Sequence, residues 1–106
     1  MTSESMIEKL VDELELLERH ILMLKITKEN QPVGIIRLSE ILDIPKHKVR
    51  YSLRLLEKEG LISPSTEGAR VTDKYDEYMD KVSSELDGIV KMVERLKTEL
   101  PQEPRQ

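Results

Sequence analysis

Apolar residues recur at a helical period through the first part of the chain. Between residues 3 and 28, isoleucine or leucine returns at intervals of three and four residues, at Ile7, Leu10, Leu14, Leu17, Ile21 and Leu24. This is the a/d spacing of a heptad, and it predicts one long amphipathic helix over 3–28. Ser5 and Glu8 have the spacing of a capping box near its start. A second apolar stripe, which includes Met23 and Ile26, begins later, so we expect the second half of the helix to be buried on two faces.

The spacing of apolar residues changes several times within the segment 33–72, which predicts several short elements. Pro32 interrupts the first helix, and the apolar run over 33–36 is typical of a short strand. A short helix over 37–43 is expected to follow. Its inward-facing residues are expected to be Leu38, Ile41 and Leu42.

A second short helix and a hairpin complete this middle segment. Pro45 occupies a favoured position in the first turn of that helix, and Gly60 is expected to end it because glycine tolerates the left-handed conformation. The residues that it directs to the core are Val49, Leu53 and Leu56. Two short strands, over 61–65 and 69–72, are then predicted to pair around a turn that contains Gly68.

The most regular apolar pattern lies over 73–100. Apolar residues alternate at intervals of four and three, at Tyr75, Met79, Val82, Leu86, Ile89, Val93, Leu96 and Leu100. This pattern predicts a long C-terminal helix, and we call its apolar positions the seam. Gly88 lies off the seam and weakens a helix, so a break at Asp87-Gly88 is an alternative to one continuous helix. Residues 101–106 are expected to form a disordered tail.

The seam needs a partner, and three arrangements can supply one. Burying each apolar side chain is worth about 1.5–3 kcal/mol, which is too much to leave in water. The seam can pack antiparallel against the N-terminal helix, or it can pair with a second copy of itself. Both contacts combine if two helical hairpins form a four-helix bundle. We expect a homodimer, with the eight seam residues at its interface.

Composition limits the classes of function. A chain of 106 residues is predicted to form a single domain, and the absence of cysteine excludes disulfides and thiol chemistry. The sequence has no glycine-rich phosphate loop and no nucleophile motif, so we expect neither an enzyme nor a cofactor. Two histidines, His20 and His47, have no metal-site spacing; His20 is expected to be partly buried between helices. The N-terminus does not resemble a signal peptide and no apolar run is long enough to span a membrane, so we expect a cytoplasmic protein with no membrane partner.

Charge is distributed unevenly along this acidic chain. The formal net charge is −4, yet residues 33–72 contain seven cations against five acids. The flanking residues contain ten cations against sixteen acids. In the predicted helix after Pro45, Lys46, Arg50 and Arg54 follow at intervals of four and so form a stripe opposite the core-facing residues. His47 and Tyr51 flank the stripe, which has the size and charge to enter a DNA major groove or, equally, to face only solvent.

The order of these elements adds a second argument. The segment "RLSEILDIPKHKVRYSLRLLEKEGLISPSTEGARVT", residues 37–72, resembles the winged helix-turn-helix of bacterial and archaeal transcription regulators, of MarR-like or ArsR-like type. The turn of that motif often contains glycine, whereas this chain has Asp43, which adopts the left-handed conformation more easily than most residues. The wing is short and has one cation, Arg70. The resemblance implies a mainly α fold with a small β-wing, flanked by long N- and C-terminal helices.

The resemblance also implies a function. It makes the helix after Pro45 a recognition helix, in a homodimeric regulator that binds double-stranded DNA. The residues expected at the DNA are Lys46, His47, Lys48, Arg50, Tyr51, Arg54 and Arg70. A protein–protein interaction module that uses the same winged helix and coiled coil without DNA is the alternative, and the sequence pI of about 5.3 favours it.

Overall fold

The computed structural model describes residues 5–101 and contains four helices and two strands in that range. In chain order they are α1 (Met6–Asn30), α2 (Ile35–Leu42), α3 (Lys46–Lys58), β1 (Ile62–Ser63), β2 (Arg70–Val71) and α4 (Tyr75–Glu99). The predicted fold class is confirmed, since helices predominate and the two strands form a small antiparallel wing. Residues 3–4 of the predicted first helix and most of the predicted tail lie outside the described residues. The chain divides into two compact units, one up to Tyr75 and one from Asp76; the single-domain assignment stays a prediction.

Helix α1 begins at the predicted capping box. The Ser5 side chain accepts a hydrogen bond from the Glu8 N–H at 3.1 Å, and the Ser5 N–H donates to Glu8 Oε1 at 2.8 Å. These two bonds satisfy donors that a helix N-terminus otherwise leaves without partners. Only the later part of α1 is buried, at Met23, Leu24 and Thr27. The first half of the predicted apolar stripe, at Ile7, Leu10 and Leu14, is exposed, and the buried residues lie in the second half of the helix, where burial is expected.

The turn between α2 and α3 depends on one left-handed residue. Asp43 has φ 55° and ψ 47°, and its N–H donates to the Ser39 carbonyl to end α2. The Ser39 hydroxyl donates to the Ile44 carbonyl at 2.6 Å, which fixes the following residue. Pro45 then serves as the N-cap of α3. The sequence prediction that Asp43 adopts this conformation in place of glycine is confirmed, and the turn orients α3.

Two predictions for the segment before this turn are wrong. Residues 33–36 do not form a strand: Val33 alone pairs, through an isolated bridge to Ala69, and Ile35 already begins α2. A short apolar run fits a strand and a helix equally well, and here Ile35 lies one turn before the fully buried Leu38 on the same helix face. Ile41 does not point inward either, because an eight-residue helix contacts the core along a narrow stripe and leaves Ile41 exposed.

The core lies in the first unit, and its buried apolar side chains come from α1, α2, α3, β1 and the segments that precede α2, β1 and β2. α1, α2 and α3 contact one another, and β1 and β2 pack on α3 and α1. The buried apolar residues are Met23, Leu24, Val33, Leu38, Val49, Leu53, Leu56, Leu61, Ile62 and Ala69. The three core positions predicted for α3 are all among them. This core fixes the opposite face of α3 toward solvent.

The wing is a short hairpin tied to the end of α1. Ile62 pairs with Val71 and Ser63 with Arg70, and the turn closes through mutual hydrogen bonds between Ser65 and Gly68. Gly68 has φ 131°, and a Cβ at this position would lie 2.7 Å from the Val33 backbone. A side chain is therefore excluded where the wing passes closest to the chain between α1 and α2.

Helix α4 is continuous through Gly88, so the alternative of a break at that residue is wrong. None of its 25 residues is buried. Within the described residues, no helix has the length and apolar character needed to cross a membrane.

Candidate nucleic-acid interface

Helix α3 presents its cations on the side opposite the core. Val49, with no exposed surface, and Leu56 anchor one face of the helix. Lys46, Arg50 and Arg54, which follow at intervals of one helical turn, are all exposed. The predicted stripe of positive charge is therefore present on a helix whose orientation is set by packing.

Arg50 and Arg54 border a depression that has no acid among its lining residues. The depression has a volume of about 470 Å³ and is lined by Arg19, His47, Lys48, Arg50, Tyr51 and Arg54. We call it the basic depression. It brings together five of the seven residues predicted to contact DNA, and none of its six lining residues is a carboxylate. Positive side chains gathered without a counter-charge favour the binding of an anion.

Lys46 lies on the neighbouring side of α3. It lines a second recess, of about 640 Å³, with Arg50 and with the first turn of α2. Arg37 lines it too, together with a single acid, Glu40. Gly34, the N-cap of α2, contributes no side-chain hydrogen bond, so the first N–H groups of that helix remain available for an acceptor.

Arg70 is exposed on β2, opposite Ser63. It lines neither of these two recesses. Arg70 therefore lies on the wing, whereas the other six predicted DNA contacts lie on α3.

Arg19 reaches the basic depression from α1 and is not among the residues that the sequence patterns predict at the site. Its Nε–H donates to the Ser52 hydroxyl at 3.0 Å, and its guanidinium carbon lies 6.0 Å from the centre of the Tyr51 ring. One signal was available in the sequence. Ser52 falls on the core-facing side of α3, one residue before Leu53, and a buried hydroxyl needs a partner.

His20, the next residue on α1, is half-buried as predicted. Its Nε2 is buried and has no hydrogen-bond partner among the described residues. Burial lowers the pKa of His20 below its ordinary value of 6.5, and the neighbouring charge of Arg19 lowers the pKa further. The carboxylate of Glu59 acts in the opposite direction. His20 is thus held toward its neutral form.

The seam residues of α4 belong to a different kind of surface. In its C-terminal half, Ile89, Val93 and Leu96 are exposed, and so is Leu100, which lies just beyond the end of the helix. Tyr75, the first residue of the predicted seam, lies under the Lys28 ammonium, which is 4.4 Å from the ring centre. No group of three or more possible metal ligands exists among residues 5–101.

Comparison with known proteins supports the fold. The chain is similar to a solved structure of Staphylococcus aureus MarR in complex with salicylate and kanamycin, with a TM-score of 0.51 and 24% sequence identity. The similarity covers 83% of this chain and 67% of that chain. No family model matches the chain, and no curated protein matches it. The winged-helix architecture is thus shared with that protein.

Proposed function

We propose that the protein binds double-stranded DNA as a homodimeric winged-helix transcription regulator, with α3 as its recognition helix. The observation that carries this proposal is the basic depression, which is lined by cations and bordered by an exposed helix face. A major groove admits one α-helix, and arginine and lysine there neutralise phosphates and donate to guanine edges.

The exposed residues of α3 divide into two roles in this proposal. Lys46 and Lys48 bind phosphates, because a lysine ammonium is a flexible point charge. Arg50 and Arg54 are the candidates for base contacts, since a guanidinium can donate two parallel hydrogen bonds to guanine. Tyr51, about half exposed, offers a ring to a thymine methyl or a hydroxyl to a phosphate.

The first turn of α2 extends the same surface. Its free N–H groups carry the positive end of the helix dipole, and Arg37 and Lys46 lie around the adjoining recess. A backbone phosphate at this point fixes the register of α3 in the groove without reading sequence.

The homodimer is supported by the exposed apolar positions of α4. A heptad seam that remains in contact with water is unfavourable, and pairing it with a second copy removes it from water. Two-fold symmetry then places two recognition helices about 34 Å apart, on successive turns of the groove. A pseudo-palindromic binding site is the expected consequence.

The experiment that tests the proposal measures duplex affinity against salt concentration. Mixed genomic DNA fragments serve as the probe, and we expect the logarithm of the binding constant to fall linearly with the logarithm of salt concentration, by about 0.9 for each phosphate neutralised. Arg50→Ala combined with Arg54→Ala should weaken binding, because it removes two donors to base edges, and should leave most of the salt slope, which comes from the phosphate contacts. Lys9→Ala combined with Lys25→Ala is the matched control, because it removes the same charge from exposed positions of α1.

A protein–protein interaction module is the second candidate. The exposed apolar residues at the start of α1, among them Ile7 and Leu10, and the acidic net charge favour it. This candidate predicts no binding of genomic fragments at low salt, with the double arginine variant indistinguishable from the wild type. That result would exclude the regulator.

A further inference from the structure

Helix α1 supplies an arginine to the surface formed by α3. Arg19 is held at two points: its Nε–H donates to Ser52 at 3.0 Å, and its guanidinium lies over the Tyr51 ring at 6.0 Å. Ser52 is fully buried, so its hydroxyl is fixed by the core of the first unit. The long side chain is therefore oriented before any ligand arrives, which reduces the entropy lost on binding.

The anchored guanidinium retains most of its donors. An arginine has five N–H groups in a rigid fork, and Ser52 engages the one on Nε. Glu15 and Glu18 line a recess on the other side of Arg19, but no ion pair to Arg19 is present within residues 5–101. On the side of the basic depression its neighbours are cations and Tyr51. The remaining donors thus lie beside a region of uncompensated positive charge.

We infer that Arg19 is a phosphate-binding residue of the DNA interface, contributed from outside the recognition helix, and that it positions the Tyr51 ring. This inference rests on the proposed function and assigns α1 a role in it. The planar fork of arginine fits two phosphate oxygens at once, which a lysine ammonium cannot reproduce. The bound phosphate flanks the bases that α3 reads, so Arg19 fixes the depth and rotation of α3 in the groove.

The test compares Arg19→Gln with the wild type on a duplex of mixed sequence. Loss of one phosphate contact reduces the salt slope by about 0.9, so the affinity ratio of wild type to variant should shrink about 3.5-fold as salt rises from about 50 to 200 mM. The loss should be nearly the same for every duplex, because a phosphate contact carries little sequence information. Lys25→Gln, which removes the same charge from an exposed position of α1, is expected to leave the slope unchanged.

Arg19→Lys separates charge from geometry. It keeps the positive charge but loses the rigid fork and the Nε–H that engages Ser52. We expect a slope close to that of the wild type together with a weaker affinity. A variant with full wild-type affinity would show that geometry does not matter and would overturn the positioning role of Arg19.

Folding must be kept apart from binding in these variants. Glutamine retains an amide donor for Ser52, and a melting curve that matches the wild type establishes that the fold is intact. If Arg19→Gln is unstable, the salt titration uses the double variant Arg19→Gln with Ser52→Ala in its place. The double variant removes both partners of the hydrogen bond, so neither is left without a partner. A slope equal to that of Lys25→Gln overturns the inference while the proposed function stands. A wild type that binds no DNA overturns both.

Discussion

Helices α3 and α4 both have apolar residues at helical spacing but differ in burial. In α3 the apolar positions Val49, Leu53 and Leu56 are buried by the other elements of the first unit. In α4 none of the 25 residues is buried, and Leu96 remains 62% exposed. Periodicity therefore identifies the apolar face of a helix but not what covers it.

The two helices also differ in what they leave in contact with solvent. The free face of α3 is cationic, whereas that of α4 is apolar along the seam. A polyanion complements the first surface, and a second apolar helix complements the second. We therefore expect α3 to act through its charge and α4 through burial of its seam.

The largest effect is expected from charge placed on the seam. Val93→Glu with Leu96→Glu should abolish the proposed homodimer, because two carboxylates cannot be buried against an apolar partner. Both residues are exposed within a single chain, so each protomer should remain folded. Light scattering coupled to size-exclusion chromatography measures the mass. The control is Lys91→Glu, which changes the net charge by the same amount at an exposed position of α4 and should leave the mass unchanged. A double variant that is still dimeric would rule out the seam as the interface.

The same leucine-to-alanine change should act differently in the two helices. Leu56→Ala removes a side chain with 1% exposure and is expected to lower the free energy of unfolding by about 2–5 kcal/mol, at any protein concentration. Leu96→Ala should leave the stability of the isolated protomer almost unchanged and weaken only its association. Denaturant unfolding at several protein concentrations distinguishes the two outcomes. If both variants lost the same free energy of unfolding at every protein concentration, the contrast between α3 and α4 would be contradicted.

Gly68→Ala should destabilise the wing. The backbone at φ 131° is unfavourable for alanine, and the new Cβ would lie 2.7 Å from the Val33 backbone. We expect a loss of about 1–3 kcal/mol from the backbone conformation alone. Thermal unfolding of the purified variant measures this loss. An unchanged melting temperature would mean that the wing adjusts its path around the new methyl group.

Gly88→Ala in α4 should increase stability, whereas Gly68→Ala should lower it. Nothing lies within 4 Å of the position that its Cβ would occupy, and the residue is within a continuous helix. Alanine is favoured over glycine in a helix interior by about 1 kcal/mol, so the helix should gain stability by up to that amount. The helical circular dichroism signal followed against temperature reports the gain, and a loss of stability would reveal a contact at this position that only glycine permits.

The smallest effect concerns pH and is confined to the first unit. The lowered pKa of His20 means that the unfolded chain binds a proton more readily than the folded chain. This contribution to stability is therefore intact above pH 6.5 and declines as the pH falls from 6.5 through the folded-state pKa. Denaturant unfolding between about pH 7.5 and 5.5 measures the slope. His20→Gln should flatten it, whereas His47→Gln, which leaves His20 in place, should retain it.

Local chemistry explains which parts of the fold were predictable. The left-handed turn at Asp43, the apolar face of α3 and the hairpin turn that contains Gly68 follow from residues close together in the chain, and all three are predicted from the sequence. The segment 33–36 was assigned to a strand because a short apolar run fits either element, and the burial of Leu38 decided for a helix.

The residues of the candidate site also differ in whether local sequence predicts them. Sequence placed Lys46, Arg50 and Arg54 on one helix face, because residues four apart are neighbours on a helix. Arg19 lies 33 residues before its hydrogen-bond partner Ser52, and no local pattern predicts a contact at that separation.

The sequence by itself determined the helices, their apolar faces and the concentration of positive charge on α3. These properties follow from spacings of three and four residues, which the backbone geometry of a helix converts into a common face. Only the tertiary structure decided which apolar face is buried within the protomer and which cation from a distant helix joins the basic depression. Both outcomes depend on contacts between residues far apart in the chain, which form only when α1, α2, α3 and the wing enclose a common core.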